Sequence, residues 1–256
     1  MQLSILIKTS LGLESVTKAE LRDLGYREVQ TADGEIRILG GAEDVVRLNL
    51  ALRTAERVLI EVGRFEANDF DALFDQAEAL PWGEYLPETA KLLVDGATSR
   101  SELKSVRTAQ SMIKRAVANV LQKKYGVSRL TESGAEYALE FFFLKSQVSL
   151  ALNTSGDGLH RRGYRKEAGT APLRETLAAA LVILSGWDEQ GEFSDPFCGS
   201  GTIPIEAALM QRRIAPGLHR SFAAESWPII PENFWREIRA EFAAVVLPEG
   251  ECSLVG

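Results

Sequence analysis

The chain has 256 residues, of which 45% are hydrophobic and 25% charged, and this ordinary composition excludes a disordered, collagen-like or disulfide-stapled protein. At about 100–150 residues per domain, we expect two or three compact units. The formal net charge of −7, taken alone, argues against a nucleic-acid partner, because phosphate groups repel an acidic surface.

No stretch of the sequence predicts membrane insertion, and we expect a cytoplasmic protein without a membrane partner. The start lacks the features of a targeting signal, and the longest apolar run, residues 177–184, is far shorter than the roughly 20 residues of a membrane-spanning helix. The two cysteines, Cys198 and Cys252, allow at most one disulfide. With two histidines and no CxxC or HExxH motif, we expect no metal. The oligomeric state is left open.

The first segment predicts the element order β-α-β-β-α-β. Alternating apolar residues predict a strand over 3–7, and apolar residues at helical spacing predict a helix from Leu13 to Leu24. The pair Asp33-Gly34 between two alternating stretches predicts a β-hairpin. A predicted helix and strand follow, at 43–52 and 57–62. This order is that of a ferredoxin-like split unit, which we assign to residues 1–64.

Residues 65–154 predict a second α/β unit. Its predicted elements are a helix over 70–80, a strand over 91–95, a long helix over 105–125, and two strands over 138–144 and 147–152.

After Asn153 the sequence becomes rich in glycine and arginine, and we assign residues 155–256 to a third unit. An alanine-rich helix is predicted from Pro172 to Ser185, with proline near its start. A short strand over 192–195 and a helix over 202–212 are predicted on either side of a glycine-rich turn.

This turn, DPFCGSGT from Asp195 to Thr202, occupies the place where α/β domains bind phosphates or nucleotides. A P-loop would need Lys before the final Thr, and a dinucleotide fingerprint would need a third glycine where Pro204 stands, so both are disfavoured. An acid, two glycines and a helix N-terminus suit the ammonium and carboxylate of S-adenosylmethionine. An ordinary tight turn remains the alternative.

Residues 152–222, which include GLHRRGYRKEAGTAPLRETLAAAL and SDPFCGSGTIPIEAALMQRR, resemble the bacterial THUMP-domain RNA methyltransferases, particularly the large-subunit rRNA guanine-N2 methyltransferases of the RlmL type and their YpsC-like relatives. The N-terminal TSLGLESVTKAELRDLG also resembles that family, so the resemblance spans essentially the whole chain. It implies an α/β fold with an α+β N-terminal part. The ferredoxin-like unit is followed by a THUMP domain that helps to bind RNA, and then by an incomplete Rossmann-like methyltransferase domain.

The resemblance also implies S-adenosyl-L-methionine as cofactor. The loop from Asp195 matches the family's methyl-donor loop, and Arg165 with residues 172–176 matches the element over the methionine end. Cys198 is interpreted as a small loop side chain, and an exposed first helical turn is the alternative for Glu175 and Thr176. The predicted cofactor-binding residues are Asp195, Pro196, Cys198, Gly199, Ser200, Gly201, Thr202, Arg165, Leu173, Glu175 and Thr176.

Basic residues are concentrated in two segments of this acidic chain. Residues 98–129 carry a net charge of +7 and residues 155–174 a net charge of +3, so the remainder carries −17. Lys104, Arg107, Lys114 and the adjacent Arg115 are spaced so that they can share one helix face. A solvated face is the alternative, but the near absence of acids and the resemblance favour phosphate contacts. The predicted RNA contacts are Arg100, Lys104, Arg107, Lys114, Arg115, Lys123, Lys124, Arg161 and Arg162.

The family holds its target amino group with a later Asn-Pro-Pro-Tyr-type loop, and no such tetrapeptide occurs in this sequence. The sequence stops at Gly256, near where the second strand of the methyltransferase sheet is expected, so we expect an N-terminal fragment that does not turn over by itself. For the intact enzyme we expect methyl transfer to the exocyclic N2 of a guanine in 23S rRNA. The alternatives are a tRNA guanine, adenine N6 in DNA, or a non-catalytic RNA-binding module.

Overall fold

We describe a computed structural model of the chain over residues 1–165, 172–189 and 191–248, together with the backbone of 254–255. Seven strands form one mixed sheet: β1 (Leu3–Thr9), β2 (Gln30–Ala32), β3 (Glu35–Gly40), β4 (Ala55–Glu66), β5 (Lys91–Ser99), β6 (Glu136–Leu144) and β7 (Gln147–Asn153). They lie in the order β2-β3-β1-β4-β7-β6-β5, so β5 is an edge strand.

The first six elements confirm the predicted ferredoxin-like order. Two helices, α1 (Glu14–Asp23) and α2 (Ala42–Ala51), connect the first four strands. The central β1 pairs antiparallel with β3 and β4. Leu3, Ile5 and Ile7 alternate along β1 and are buried in the core, as the period of two in the sequence requires.

The strand β4 joins the first two units into one sheet. It pairs with β1 along one edge and with β7 along the other, and its register with β7 shifts between Glu61 and Gly63. A Cβ atom on Gly63 would overlap the Leu80 side chain, so glycine is needed where the strand and the following segment approach. The proposed boundary at residue 64 falls within this strand.

The second unit contains three helices: α3 (Phe70–Glu78), the short α4 (Trp82–Tyr85), for which the sequence pattern gave no prediction, and α5 (Val106–Tyr125). Local signals fix the ends of α5. Ser105 Oγ accepts a hydrogen bond of 3.2 Å from the Thr108 amide at the start, and Gly126 adopts a φ of 68° at the end. The predicted helix over 105–125 is therefore confirmed.

The third unit contains α6 (Glu175–Leu184), β8 (Phe193–Ser194), α7 (Thr202–Gln211) and β9 (Leu254–Val255). The helix α6 begins three residues after Pro172, the start predicted from the sequence. The strand β8 pairs in parallel with β9, as expected for an α/β methyltransferase sheet.

Residues 217–244, after α7, fold back onto the first two units, an arrangement that the sequence pattern did not predict. They contain a 3₁₀ turn (Ala223–Ser226) and the helix α8 (Glu232–Ala244). Arg47 of α2 forms a bidentate ion pair with Glu241 of α8, with N–O distances of 2.7 and 2.8 Å. Trp227 stacks on Tyr137 of β6 with ring centroids 4.5 Å apart. This segment therefore fixes the third unit against the other two.

In the part of the chain that the structure describes, no helix is both long enough and apolar enough to cross a membrane.

Candidate ligand loop and basic surfaces

The predicted strand-turn-helix arrangement of the glycine-rich loop is confirmed. The strand β8 ends at Ser194, and α7 begins at Thr202. Gly199 and Gly201 have φ values of 55° and 73°, in the left-handed region that favours glycine. The Gly201 amide donates a 2.9 Å hydrogen bond to the Cys198 carbonyl, which closes the turn directly before α7. The first amides of α7 thus point towards the loop.

The carboxylate of Asp195 lies at the end of β8 and is oriented by the loop. Its Oδ1 accepts a 3.1 Å hydrogen bond from the Phe197 amide. The Phe197 side chain is 94% exposed, and Pro196 and Ser200 are also exposed, so the loop presents an open surface. Such a surface fits a ligand with an amine for the acid and a carboxylate for the helix N-terminus.

A four-residue segment, Arg162-Gly163-Tyr164-Arg165, lies along the first two turns of α7, and we call it the strap. Arg165 Nη2 donates a 2.8 Å hydrogen bond to Thr202 Oγ1, and Tyr164 Oη donates one of 3.2 Å to Glu206 Oε1. Thr202 and Glu206 are one helical turn apart. The strap therefore fixes the helix that follows the glycine loop.

Arg165 also connects the strap to the start of α6. Its Nε lies 3.1 Å from Glu175 Oε1, and its Nη2 donates a 3.4 Å hydrogen bond to the Leu173 carbonyl. Four of the predicted cofactor-binding residues, Arg165, Leu173, Glu175 and Thr202, are thus brought together around one guanidinium. The sequence predicted these four residues as cofactor-binding, but it did not predict their contacts with one another.

The alternative of an exposed first turn in α6 is wrong. Glu175 is 6% exposed and Thr176 is 1% exposed. Thr176 Oγ1 donates a 2.8 Å hydrogen bond to Glu56 Oε1 of β4, which ties α6 to the ferredoxin-like unit. Glu175, through Arg165, and Thr176, through Glu56, therefore fix the start of α6 in position.

The predicted RNA contact at Arg162 needs correction, because this side chain is 2% exposed. Its guanidinium donates to the carbonyls of Leu159 and Arg53 and lies 3.4 Å from the carboxylate of Glu206, which is fully buried. A guanidinium with these partners is not available to an RNA phosphate. Sequence reasoning missed Glu206, which carries no local signal for burial on α7.

Burial and the charge of Glu206 raise the pKa of Tyr164 above the ordinary range. A phenol is protonated at neutral pH in any case, and the raised pKa means that Tyr164 also keeps its proton, and its hydrogen bond to Glu206, in alkaline solution.

Basic residues of α5, in the second unit, form an exposed face. Arg107, Lys114 and Arg115 line a groove of about 580 Å³ beside the edge strand β5. Lys114 lies 2.8 Å from Glu132, and the Arg115 guanidinium lies 5.6 Å from the centre of the Phe74 ring. This groove brings together three of the four residues predicted to share one helix face.

The other predicted basic contacts lie outside this groove. Lys104 precedes Ser105, the cap of α5, so its predicted place on the helix face is wrong. Lys124 donates to the carbonyl of Gly83, and the remaining members Arg100, Lys123 and Arg161 are exposed.

The described residues contain no group of three metal-ligating side chains. Cys198 has a free thiol and is half-buried. Cys252, and Lys166 of the second basic segment, lie outside the described residues.

Family models match three successive parts of the chain. They are the RlmL ferredoxin-like domain over residues 4–59, the THUMP domain over 67–153 and the RMKL-like methyltransferase domain over 162–249. The chain therefore belongs to the RlmL-type family of THUMP-domain methyltransferases.

Individual relatives support this membership. The chain is 44% identical to the putative RNA methyltransferase YpsC of Bacillus subtilis (strain 168) over 240 residues, which cover 93% of the chain and 62% of YpsC. It is 42% identical, with a TM-score of 0.96, to a predicted N6-adenine-specific DNA methylase from Listeria monocytogenes str. 4b F2365, covering 100% of the chain and 67% of that structure. It is 36% identical, with a TM-score of 0.93, to SMU.472, a putative methyltransferase solved with SAH, covering 97% and 66%. The chain thus spans 62–67% of the length of these relatives.

Proposed function

We propose that the chain carries the donor-binding loop and the RNA-binding units of an S-adenosylmethionine-dependent methyltransferase that modifies the exocyclic N2 of a guanine in 23S rRNA. The observation that carries this proposal is the open glycine loop, which the strap fixes at the N-terminus of α7 directly after a THUMP unit with a basic face.

The loop provides complementary groups for the methionine end of the donor. Asp195 attracts the ammonium, and the N-terminus of α7 attracts the carboxylate. The helix-end term is about 0.3–1 kcal/mol per charge, so packing of the adenosine must supply much of the affinity. The complex of SMU.472 with SAH supports the same ligand class.

RNA is favoured as the substrate by the second unit. The exposed arginines and lysines of α5 suit phosphate contacts, which position a nucleic acid without reading its sequence. YpsC is named as a putative RNA methyltransferase, whereas the Listeria relative is named as a predicted DNA methylase. The THUMP unit supports RNA, and DNA adenine is the second candidate, which the second experiment below distinguishes from RNA.

Donor binding is tested by calorimetric titration of the chain with SAH. We expect Asp195→Asn to weaken SAH binding about tenfold or more, because a charge-assisted contact contributes about 1.5–3 kcal/mol. Asp23→Asn on α1 is the matched control for the removal of an exposed carboxylate. Failure of the wild-type chain to bind SAH would overturn the assignment of the loop.

Target identity is tested in the host by deleting the gene and measuring modified nucleosides by mass spectrometry. We expect N2-methylguanosine to decrease in 23S rRNA. A decrease in tRNA instead, or a decrease of N6-methyladenine in DNA, would replace the proposed target. The Asn-Pro-Pro-Tyr-type loop does not occur in this sequence, and we propose that the chain alone binds without turnover, so experiments in vitro measure binding.

A further inference from the structure

A cleft with a volume of about 950 Å³ lies beside the strap. Its walls are residues 155–163, the start of α6 and residues 219–223. The volume is within the range of about 300–1,000 Å³ that is typical of ligand pockets. Arg165, Leu173 and Glu175, which are predicted to bind the donor, also line this cleft, whereas no donor contact predicted above involves Arg161 or Arg220.

Arg220 holds the two sides of the cleft together. Its guanidinium donates hydrogen bonds of 2.7–3.3 Å to the carbonyls of Ser155, Asp157, Gly158 and Arg161, and it lies 4.9 Å from the centre of the Phe222 ring. These acceptors are uncharged, so the positive charge of Arg220 remains on the wall. The loop that carries Arg161 is thereby fixed in position.

The cleft is positively charged within a net acidic protein. Five arginines and two carboxylates line it, a formal charge of +3 before the histidines are counted. Arg161 and Arg174 are the arginines with exposed heads, each 67% exposed. Their ion pairs, 3.1 Å to Asp157 and 3.8 Å to Glu56, contribute little at such exposure, so a phosphate can compete for them.

The cleft and the glycine loop share Arg165. This residue lines the cleft, and its guanidinium contacts Thr202 at the first position of α7. The cleft therefore adjoins the glycine loop, whereas the α5 face belongs to a different unit.

We propose that this cleft binds a phosphodiester group of the substrate RNA, next to the nucleotide presented to the glycine loop, with Arg161 and Arg174 as the direct contacts. The inference rests on the proposed function and adds a second phosphate site to the α5 face. Phosphate contacts at the two sites fix the direction in which the RNA strand crosses the protein.

The test measures the affinity of the whole chain for a fluorescein-labelled stem-loop of 23S rRNA over a series of KCl concentrations. Five proteins are compared: wild type, the cleft variant Arg161→Ala/Arg174→Ala, its charge-retaining form Arg161→Lys/Arg174→Lys, the face variant Lys114→Ala/Arg115→Ala, and Arg22→Ala on α1 as an exposed control. SAH affinity and thermal unfolding are measured for each protein.

We expect the cleft variant to bind the RNA about tenfold more weakly. The slope of log K against log [KCl] should become shallower by about 0.7–0.9 for each phosphate group that the variant no longer neutralises. Arg174 belongs to the segment over the methionine end, but its exposed guanidinium lies against Glu56 and is not among the predicted donor contacts. The SAH affinity and unfolding temperature of this variant should therefore equal those of the wild type. The variant Arg161→Lys/Arg174→Lys should retain the wild-type slope, because it keeps both charges.

An unchanged slope in the cleft variant, with a shallower slope in the face variant, would overturn the cleft proposal and leave the proposed function intact. Wild type that binds neither the RNA nor SAH would overturn the proposed function itself. A weaker SAH affinity in the cleft variant would reassign Arg161 and Arg174 to the donor and also overturn the cleft proposal.

Discussion

The guanidinium of Arg162 lies 3.4 Å from the carboxylate of Glu206, and both side chains are withdrawn from solvent. The two residues belong to the strap and to α7, and Arg162 also donates to the carbonyl of Arg53 in the ferredoxin-like unit. One buried charge pair therefore connects the N-terminal unit, the strap and the helix that begins at the glycine loop.

Removing one member of this pair should strongly destabilise the protein. We expect Arg162→Ala to lower the free energy of unfolding by about 3–5 kcal/mol, because it leaves the Glu206 carboxylate buried without its cation. Urea denaturation followed by circular dichroism measures the change. Arg161→Ala, next in the chain but exposed, should change it by less than about 0.5 kcal/mol.

The double variant Arg162→Met/Glu206→Leu removes both charges but keeps side chains of similar size. It therefore separates the effect of an unpaired charge on stability from the effect of lost packing. Apolar residues of similar size often replace a buried ion pair without a decrease in stability, so this variant should be more stable than Arg162→Ala. Equal stability of the two variants would contradict the view that the uncompensated carboxylate causes the destabilisation.

Arg165 should act on donor affinity more than on stability. Its guanidinium holds Thr202, Glu175 and the Leu173 carbonyl at one point. We expect Arg165→Lys to weaken SAH binding several-fold, because a lysine cannot reproduce this planar set of contacts. Calorimetry measures the affinity, with Arg22→Lys as the control. Wild-type affinity in Arg165→Lys would show that these contacts do not position the loop.

Local patterns in the sequence predicted the elements whose ends are fixed by neighbouring residues. The helix α5 follows its prediction because Ser105 and Gly126 cap it, and the loop follows its prediction because Gly199 and Gly201 permit a positive φ. The packing of α8 onto α2 was not predictable in this way, because Arg47 and Glu241 are 194 residues apart in the chain.

In the candidate site, too, local patterns predicted some features and missed those that depend on long-range contacts. Residue types identified the loop and the start of α6, but the contacts of the strap depend on long-range packing. Nothing near Glu206 in the sequence indicates a fully buried carboxylate, and nothing near Arg162 distinguishes it from the exposed Arg161. The period of apolar residues predicts which face of a helix or strand is buried. It does not predict which two charged residues pair, because that depends on the tertiary fold.

Gly63 should be intolerant of a side chain, because its Cβ would meet Leu80 at the irregular part of β4. We expect Gly63→Ala to lower the free energy of unfolding by about 1–3 kcal/mol, the usual cost of overpacking. Urea denaturation measures this change. At Gly191 an added Cβ would lie 3.6 Å from Asp188 Oδ1, an ordinary van der Waals contact, so Gly191→Ala is the matched control and should cost less than about 0.5 kcal/mol.

The free energy of unfolding should decrease as the pH falls, and part of this decrease should depend on His160. Burial lowers the pKa of this imidazole, and the nearby charge of Glu56 opposes the shift. The unfolded chain then takes up the proton near its ordinary pKa of about 6.5, before the folded protein does. The contribution of His160 to stability is therefore complete above about pH 6.5 and is lost as the pH falls towards the pKa of the folded state.

Denaturation of wild type and His160→Gln at about pH 7.5 and about pH 5.5 tests this sign. Wild type should be destabilised more than His160→Gln between the two pH values, whereas the exposed His219→Gln should behave as wild type. A greater destabilisation of His160→Gln would mean that the attraction of Glu56 exceeds the cost of burial. The imidazole would then be charged in the folded protein and would add to the positive charge of the neighbouring cleft.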